Sequence, residues 1–236
     1  MKATARLVAE LGPDGRTVLR ELRSMAPLTL FPRRRFTRDA LVHLVNSATS
    51  PLGGDELRLV VRVGAGARLT LSGVAATLAL PGPRGEASSS IVDVSVEDGG
   101  WFSYLPEPTV VTARARHVAE LHVSLAGDAA FRAREVLVLG REGESPGHLT
   151  TTQHVVRDGR AVLRQTLDLG DPAWGASLAY LAGRRVLATE ILLVDEKPVE
   201  PTGGEWWSVS PLAGGGALVT ALADSTVEAE RMLTCG

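Results

Sequence analysis

Glu135 is the residue whose position most strongly suggests chemistry. Apolar side chains alternate along a predicted strand from Phe131 to Leu139, and Glu135 falls on their face of the strand. Burying an ionised carboxylate costs several kcal/mol unless the group is paired, hydrogen-bonded or reached by water. Two structural explanations are a bulge at Arg134 and a buried ion pair with a distant arginine. The functional explanation is a carboxylate that faces an internal, hydrated site.

Three further features have ordinary structural interpretations. Asp55 follows two glycines and opens a strong strand, which is typical of a turn acid that accepts hydrogen bonds from nearby backbone amides. The segment Tyr104–Val110 contains two prolines and an aromatic residue, and it predicts a rigid extended loop or a contact surface. The arginines at 33–35 are predicted to form a solvated face, because three charges are too few for a nucleic-acid footprint.

The five histidines do not form a metal site by local spacing. His117 and His122 are an odd number of residues apart, so a strand directs them to opposite faces. His148 and His154 share a face but lie roughly 20 Å apart along the strand. All five, including His43, are therefore predicted to be surface or turn residues.

Sequence motifs for catalysis are missing. The chain has no Gly-x-Ser-x-Gly elbow, no phosphate loop ending in Lys-Ser/Thr and no His-Glu-x-x-His helix. Its single cysteine, Cys235, allows neither an internal disulfide nor a cysteine metal cage. We therefore expect a protein that is not an enzyme.

The elements that position these residues are mainly strands. Period-two patterns flank turns at 64–66, 98–100, 127–128 and 158–159, and they predict four hairpins about thirty residues apart. This spacing predicts a mainly β fold with an elongated, stacked or helical β-sheet body of repeated hairpins. A sandwich is the alternative, but its turns usually come about every 8–12 residues.

Helix signals are few. A short helix is predicted from Asp171 to Leu181, and a second one is predicted to follow a cap at Asp224 or Ser225. A buried strand is predicted for residues 185–194 and a surface loop for 196–216. The whole chain, 1–236, is assigned to a single domain that ends in a strand and a short helix over 216–234.

Composition limits the possible partners and compartments. The chain has 236 residues with 25 Lys and Arg against 27 Asp and Glu, and a net charge of -2 gives no reason to expect a polyanion partner. The single cysteine fits a reducing compartment, the first residues lack the apolar stretch of a signal peptide, and no apolar run approaches the ~18 residues of a membrane span. A cytoplasmic protein is therefore expected. Aromatic residues make up only 4%, which means that small aliphatic side chains must fill the core.

Six short segments, taken together in this order, resemble the urease accessory protein family UreD, also called UreH. The similarity covers about residues 17–170, and the compact length is similar to that of short actinobacterial members. The segments are 33–35, 41–45, Pro51–Asp55, Val74–Thr77, Tyr104–Val110 and Glu135–Arg141.

The resemblance implies a non-enzymatic scaffold for nickel insertion into apo-urease, with a helically stacked β fold. Its implied partners are UreF, UreG through UreF, and apo-urease, and nickel would pass through an internal channel without a tightly bound cofactor. Asp55 and Glu135 match acids of the family motifs and are the nickel-transit candidates. The partner-contact candidates are Tyr104, Pro106, Glu107 and Pro108.

The sequence departs from the family pattern near its end and at one motif. Leu78 stands where many members have a lysine, and the C-terminal segment that often contributes to the UreF contact is short. The competing hypothesis is a β-solenoid that binds or cleaves glycans, which the same fold would permit. Such sites usually contain stacking aromatics and paired acids, so the low aromatic content argues against it.

Overall fold

Strands make up most of the chain that the computed structural model describes, which comprises residues 1–34, 37–171, 173–174, 177–178, 180–194 and 199–234. None of the helices in these ranges is long and apolar enough to cross a membrane. In chain order the elements are β1 (Lys2–Leu11), β2 (Thr17–Arg23), β3 (Leu28–Arg33), β4 (Ala40–Asn46), β5 (Glu56–Val63), β6 (Arg68–Ser72), β7 (Thr77–Ala79), β8 (Ser88–Val96), β9 (Trp101–Leu105), β10 (Thr109–Val111), β11 (Arg116–Leu125), β12 (Ala130–Leu139), β13 (His148–Arg157), β14 (Arg160–Leu169), β15 (Val186–Leu193), β16 (Thr202–Gly203), β17 (Trp207–Pro211), β18 (Ala217–Ala223) and α1 (Thr226–Leu233).

These strands form two sheets that enclose the largest hydrophobic cluster. The first sheet has the order β14-β13-β11-β8-β5-β1-β2. The second has the order β16-β17-β18-β15-β12-β9-β6-β4-β3, and β10 joins it between β12 and β7. Phe102 and Phe131 stack at 6.2 Å in this core, and the other buried side chains of the cluster are Leu, Val, Ile and Ala. The predicted small-aliphatic core and mainly β, stacked fold class are both confirmed.

The chain winds through the two sheets in successive coils. β5, β8 and β11 lie in the first sheet, and each continues into a strand of the second sheet, β6, β9 and β12 respectively. Parallel pairing keeps the coils in register, so that Leu57, Ser90, Ala119 and Thr151 form one row across the first sheet. A strand such as β8 therefore forms its backbone hydrogen bonds with strands of the coils before and after it, and not with the strand that follows it in the sequence.

The predicted hairpins are wrong at three of the four turns. The turns at 64–66, 98–100 and 127–128 are corners between the sheets, because β5 pairs with β8 and β1 and not with β6. Only the turn at Asp158-Gly159 closes a hairpin, with Arg157 opposite Arg160. The alternation of apolar and polar residues is the same at a corner and at a hairpin, because every strand has a period of two whichever strand it pairs with. The alternation therefore could not show which strands pair.

The end of the chain confirms the predicted helix and strand. Ser225 caps α1 by accepting a hydrogen bond from the Glu228 N–H at 3.2 Å, and β15 is the predicted buried strand. The loop predicted for 196–216 is wrong where β16 and β17 form, because antiparallel pairing with β18 gives β17 hydrogen bonds that its own sequence does not reveal.

Two other predictions fall partly outside the described residues. Within the helix predicted from Asp171 to Leu181, residues 172, 175, 176 and 179 are not described, and the described residues between them form turns. Arg33 and Arg34 are exposed at the edge strand β3, as predicted for a solvated face, whereas residue 35 lies outside the described chain.

Gly127 at the third corner provides a test of the stacked coils. Its φ is +52°, and a Cβ there would lie 1.9 Å from Asp98 Oδ1, which accepts the Asp128 N–H in the next corner. Gly127→Ala should lower the free energy of unfolding by about 2–3 kcal/mol, measured by urea denaturation. The alanine would be strained at this positive φ, and its Cβ would in addition displace the Asp98 side chain.

Gly159→Ala is the matched control, since φ is +75° but nothing lies within 4 Å of the added Cβ. It should cost only the backbone strain of about 1 kcal/mol. Equal losses in the two variants would show that the corners do not pack against each other as described.

Candidate functional site

A cavity of about 400 Å³ lies between the two sheets. Leu57 and Leu59 of β5, Val92 of β8 and Leu121 of β11 line it from the first sheet, and Leu44 of β4 lines it from the second. Its walls are therefore largely apolar, which makes each polar group that reaches it significant.

A gap in the second sheet lies beside this cavity. β9 pairs with β12 as far as Tyr104 and Ala133, and β10 resumes the pairing at Thr109 and Leu137. Four residues lie between Tyr104 and Thr109, whereas three lie between Ala133 and Leu137, so the chain between β9 and β10 bulges out of the ladder. Prolines 106 and 108 favour this break because they have no N–H to donate.

The preceding coil is interrupted at the same place. β6 ends at Ser72 and β7 begins at Thr77, and the loop between them meets the proline loop so closely that a Cβ on Gly73 would lie 2.5 Å from the Glu107 backbone nitrogen. Ala75 and Ala76 of this loop line the cavity and are exposed to solvent. The cavity therefore opens to solvent at the gap.

Glu135 reaches the cavity from β12 and has only neutral hydrogen-bond partners. The Thr151 hydroxyl donates to its two carboxylate oxygens at 3.1 and 3.2 Å, and Gln153 Nε2 donates to Oε2 at 3.1 Å. No ion pair involving Glu135 occurs among the described residues, and β12 pairs with β15 without a register shift. The inward position is confirmed, while the bulge at Arg134 and the ion pair with an arginine are both wrong.

This environment changes the acidity of Glu135. Burial raises its pKa from 4.5 to about 7, and the hydrogen bonds from Thr151 and Gln153 oppose the rise only in part. Tyr104 lies nearby, with its ring stacked on Phe102 at 6.3 Å. Burial, and secondarily the charge of Glu135, raise the pKa of Tyr104, so its hydroxyl stays protonated at neutral pH.

His117 also lines the cavity, and the prediction that all histidines are surface or turn residues is wrong for it. It is 3% exposed, and its Nδ1 lies 2.8 Å from the Ser88 hydroxyl. Burial lowers the pKa of His117 to about 4, which keeps the imidazole neutral at pH 7. Its parity with Ala119 and Leu121 on β11 was the sequence signal for an inward side chain.

Asp55 lies behind the cavity wall and not in its lining. Its carboxylate accepts hydrogen bonds from the Met1 amino group, from the Ser50 hydroxyl at 2.8 Å and from the Leu52 N–H at 2.9 Å. Burial by itself raises the pKa of Asp55, but these donors outweigh it and hold the pKa below 3.8. Ser50 and Pro51 do line the cavity, so Asp55 positions a wall segment.

The predicted partner-contact residues divide between the rim and the interior. Tyr104 lies inside the cavity, and Pro106 and Glu107 lie at its opening. The Pro108 carbonyl accepts the Thr77 N–H at 2.9 Å and holds the two loops of the gap together. Their contact with a partner stays a prediction.

Fold and site together define a β-solenoid-like protein with an open internal cavity, and Glu135 reaches this cavity without a cationic partner among the described residues. The described residues contain no group of three or more His, Cys, Asp or Glu side chains placed to hold a metal ion.

The chain belongs to the UreD family. The family model described as UreD urease accessory protein matches residues 1–235. The chain is 56% identical to urease accessory protein UreD 1 of Saccharopolyspora erythraea, with 99% of this chain and 93% of the relative covered. It is 38% identical to urease accessory protein UreD of Streptomyces avermitilis, with 99% and 95% covered. The resemblance found in the sequence motifs is thereby confirmed.

The structural role of Asp55 can be tested by Asp55→Asn. This substitution should lower the free energy of unfolding at pH 7 by about 2 kcal/mol, because the Met1 amino group, the Ser50 hydroxyl and the Leu52 N–H lose a negatively charged acceptor. Since the folded pKa is lowered, the difference should be complete above about pH 4 and decline below it. Ser50→Ala, which removes one neutral donor, should cost about 1 kcal/mol without this pH dependence. An Asp55→Asn protein as stable as the wild type would contradict this role.

The raised pKa of Glu135 makes stability depend on pH in the opposite direction. The pKa of Glu135 is 4.5 in the unfolded chain and about 7 in the folded protein, so the folded protein binds this proton more tightly. The stability that the group contributes is therefore fully present below about pH 4.5 and is lost as the pH rises through 7. Urea denaturation at pH 5 and pH 8 should show the wild type losing on the order of 2 kcal/mol relative to Glu135→Gln. Parallel pH profiles of the two proteins would mean that the carboxyl group is not buried as described.

Proposed function

We propose that this chain is a non-enzymatic scaffold in urease maturation that conducts nickel through its internal cavity toward apo-urease. Membership in the UreD family supports a role in urease maturation. The observation that carries the finer proposal is the Glu135 carboxylate, which faces an open cavity and has neutral partners only.

The chemistry of the cavity suits transit better than storage. A carboxylate attracts a divalent cation, and the neutral imidazole of His117 offers a nitrogen of the type that nickel accepts well. The charge of Glu135 acts on Tyr104, and the other charged side chains among the described cavity-lining residues are those of Glu107, Glu120 and Arg134. An ion held by one or two protein ligands keeps most of its water and is released readily.

Asp55 enters the proposal as a support for the path. It fixes Ser50 and the turn before β5, and Ser50 forms part of the cavity wall. A substitution of Asp55 should therefore reduce urease activation only as far as it destabilises the fold. A substitution of Glu135 should reduce urease activation even when the fold is intact.

The rim of the opening is the proposed contact surface for the other maturation proteins. Val74 is 58% exposed and Leu78 is 41% exposed, and both flank the loops that carry Pro106 and Glu107. Exposed apolar side chains around an opening favour protein contacts over nucleic acid. We propose that UreF binds this rim and brings UreG with it, that apo-urease completes the path, and that the assembly acts in the cytoplasm.

The glycan hypothesis receives no comparable support. Tyr104 is the one Phe, Tyr or Trp side chain among the described cavity-lining residues, and a glycan groove usually presents several for stacking. The cavity also lacks a second acid hydrogen-bonded to Glu135 among the described residues. The family match therefore favours the urease hypothesis.

Urease activation at limiting nickel tests the role of Glu135. In a strain with the complete urease genes, deletion of this chain should leave urease expressed but nickel-poor. Complementation with Glu135→Gln should reduce activation about tenfold or more, because the amide keeps the hydrogen bonds but loses the charge that attracts the ion.

The matched control is Glu142→Gln, the same substitution at an exposed position just beyond β12. It should restore activation fully, and both variants should co-purify with UreF as the wild type does. Full activation by Glu135→Gln at limiting nickel would remove Glu135 from the path, and active urease in the deletion strain would overturn the whole proposal.

A further inference from the structure

The only two glutamines of the chain, Gln153 and Gln165, lie directly opposite each other. They are partners in the antiparallel pairing of β13 with β14, so their side chains share a face and their Cβ atoms are about 5 Å apart. That face is the interior one, because Gln153 is 6% exposed and lines the cavity.

Both amide oxygens of this pair are enclosed and lack a hydrogen-bond partner within the described chain. Gln153 donates from Nε2 to Glu135 Oε2 at 3.1 Å and to Thr189 Oγ1 at 3.2 Å, which leaves its Oε1 without a donor. An enclosed oxygen without a donor costs about 1–3 kcal/mol, and such groups call for a reason.

The charge of Glu135 explains why Gln153 adopts this orientation. An ionised carboxylate can only accept hydrogen bonds, so it selects the N–H side of the amide. The reversed amide would place Oε1 against the carboxylate oxygens. The present orientation therefore satisfies Glu135 and leaves the oxygens of Gln153 and Gln165 unpartnered.

A cation bound to Glu135 reverses this preference. Its positive charge repels the amide N–H and attracts the amide oxygen, and the terminal torsion of glutamine has a broad, roughly two-fold profile. Half a turn of the amide exchanges the positions of its two polar atoms, so that Oε1 faces the ion and Nε2 takes the enclosed position that Oε1 held. Because Gln165 lies directly opposite Gln153, its unpartnered Oε1 is the acceptor that we assign to the turned Nε2. The cation-bound state then gives partners to both oxygens.

We infer that Gln153 is the second oxygen ligand of the cation at Glu135 and that Gln165 holds the turned amide in the bound state. This inference rests on the proposed passage of nickel past Glu135. Without the ion, Gln153 Nε2 donates a hydrogen bond to the Glu135 carboxylate. When the ion binds, the amide turns and Gln153 Oε1 becomes a ligand of the ion. Since the amide carries no charge, the second ligand adds affinity without turning Glu135 into a permanent site.

Nuclear magnetic resonance of the full chain can observe this exchange directly. Labelling with ¹⁵N-glutamine gives only two side-chain amide groups, and Zn²⁺ serves as a diamagnetic probe of cation binding. Both amide signals should shift together on titration, that of Gln153 because its oxygen binds the ion and that of Gln165 because its oxygen gains a donor. In Glu135→Leu neither signal should shift.

Equilibrium dialysis with Ni²⁺ separates ligation from a structural role. Gln153→Met should weaken binding about tenfold, and Gln165→Met should weaken it about threefold or more although Gln165 does not contact Glu135. The matched control is Thr166→Val, which breaks the 3.0 Å hydrogen bond between Thr152 and Thr166 on the opposite face of the same strands. It should leave Ni²⁺ affinity unchanged.

The outcomes distinguish this inference from the function on which it rests. Cation binding that requires Glu135 while the glutamine signals stay unchanged, or a Gln165→Met protein with wild-type Ni²⁺ affinity, would overturn the inference alone. Identical Ni²⁺ binding by the wild type and Glu135→Leu would instead remove the cation from Glu135 and overturn the proposed passage together with it.

Discussion

The hydrogen-bond ladder between successive coils is the constraint on which the other features depend. It fixes β5, β8, β11 and β13 in one parallel register and brings the corners at 66, 99 and 127 into contact. Where the ladder is intact, the space between the sheets is filled by aliphatic side chains and the Phe102–Phe131 pair. Where prolines 106 and 108 interrupt it, the second sheet opens and the core gives way to a cavity.

Three buried acids show how differently the same fold treats a carboxylate. Glu190 on β15 forms an ion pair with Arg132, and Asp55 is held by the amino group of Met1 together with neutral donors. Glu135 belongs to the strand adjacent to Glu190 but faces the other side of the sheet, where its partners are hydroxyl and amide groups. A cationic partner is thus present at Asp55 and Glu190 and missing at Glu135 among the described residues.

We propose that this difference connects the structure to urease maturation. A compensated acid stabilises the fold, whereas an uncompensated one in an open cavity retains affinity for a cation. The glutamine pair beside Glu135 fits the same proposal, because its two unpartnered oxygens are costly and would gain partners in the cation-bound state that we infer. Membership in the UreD family supports a role in urease maturation, and Glu135 and the two glutamines are the side chains that we propose for cation binding.

Sequence alone determined which faces the strands present, because period-two alternation is a local property. It predicted the inward carboxylate at Glu135, a helix cap at Asp224 or Ser225 and a stacked β body, and its motifs indicated the family. It could not decide which strands pair, so three corners were predicted as hairpins and β17 as a loop. The partners of Glu135, the inward role of His117 and the meeting of the two glutamines were decided only by the tertiary structure, because each depends on the register of coils about thirty residues apart.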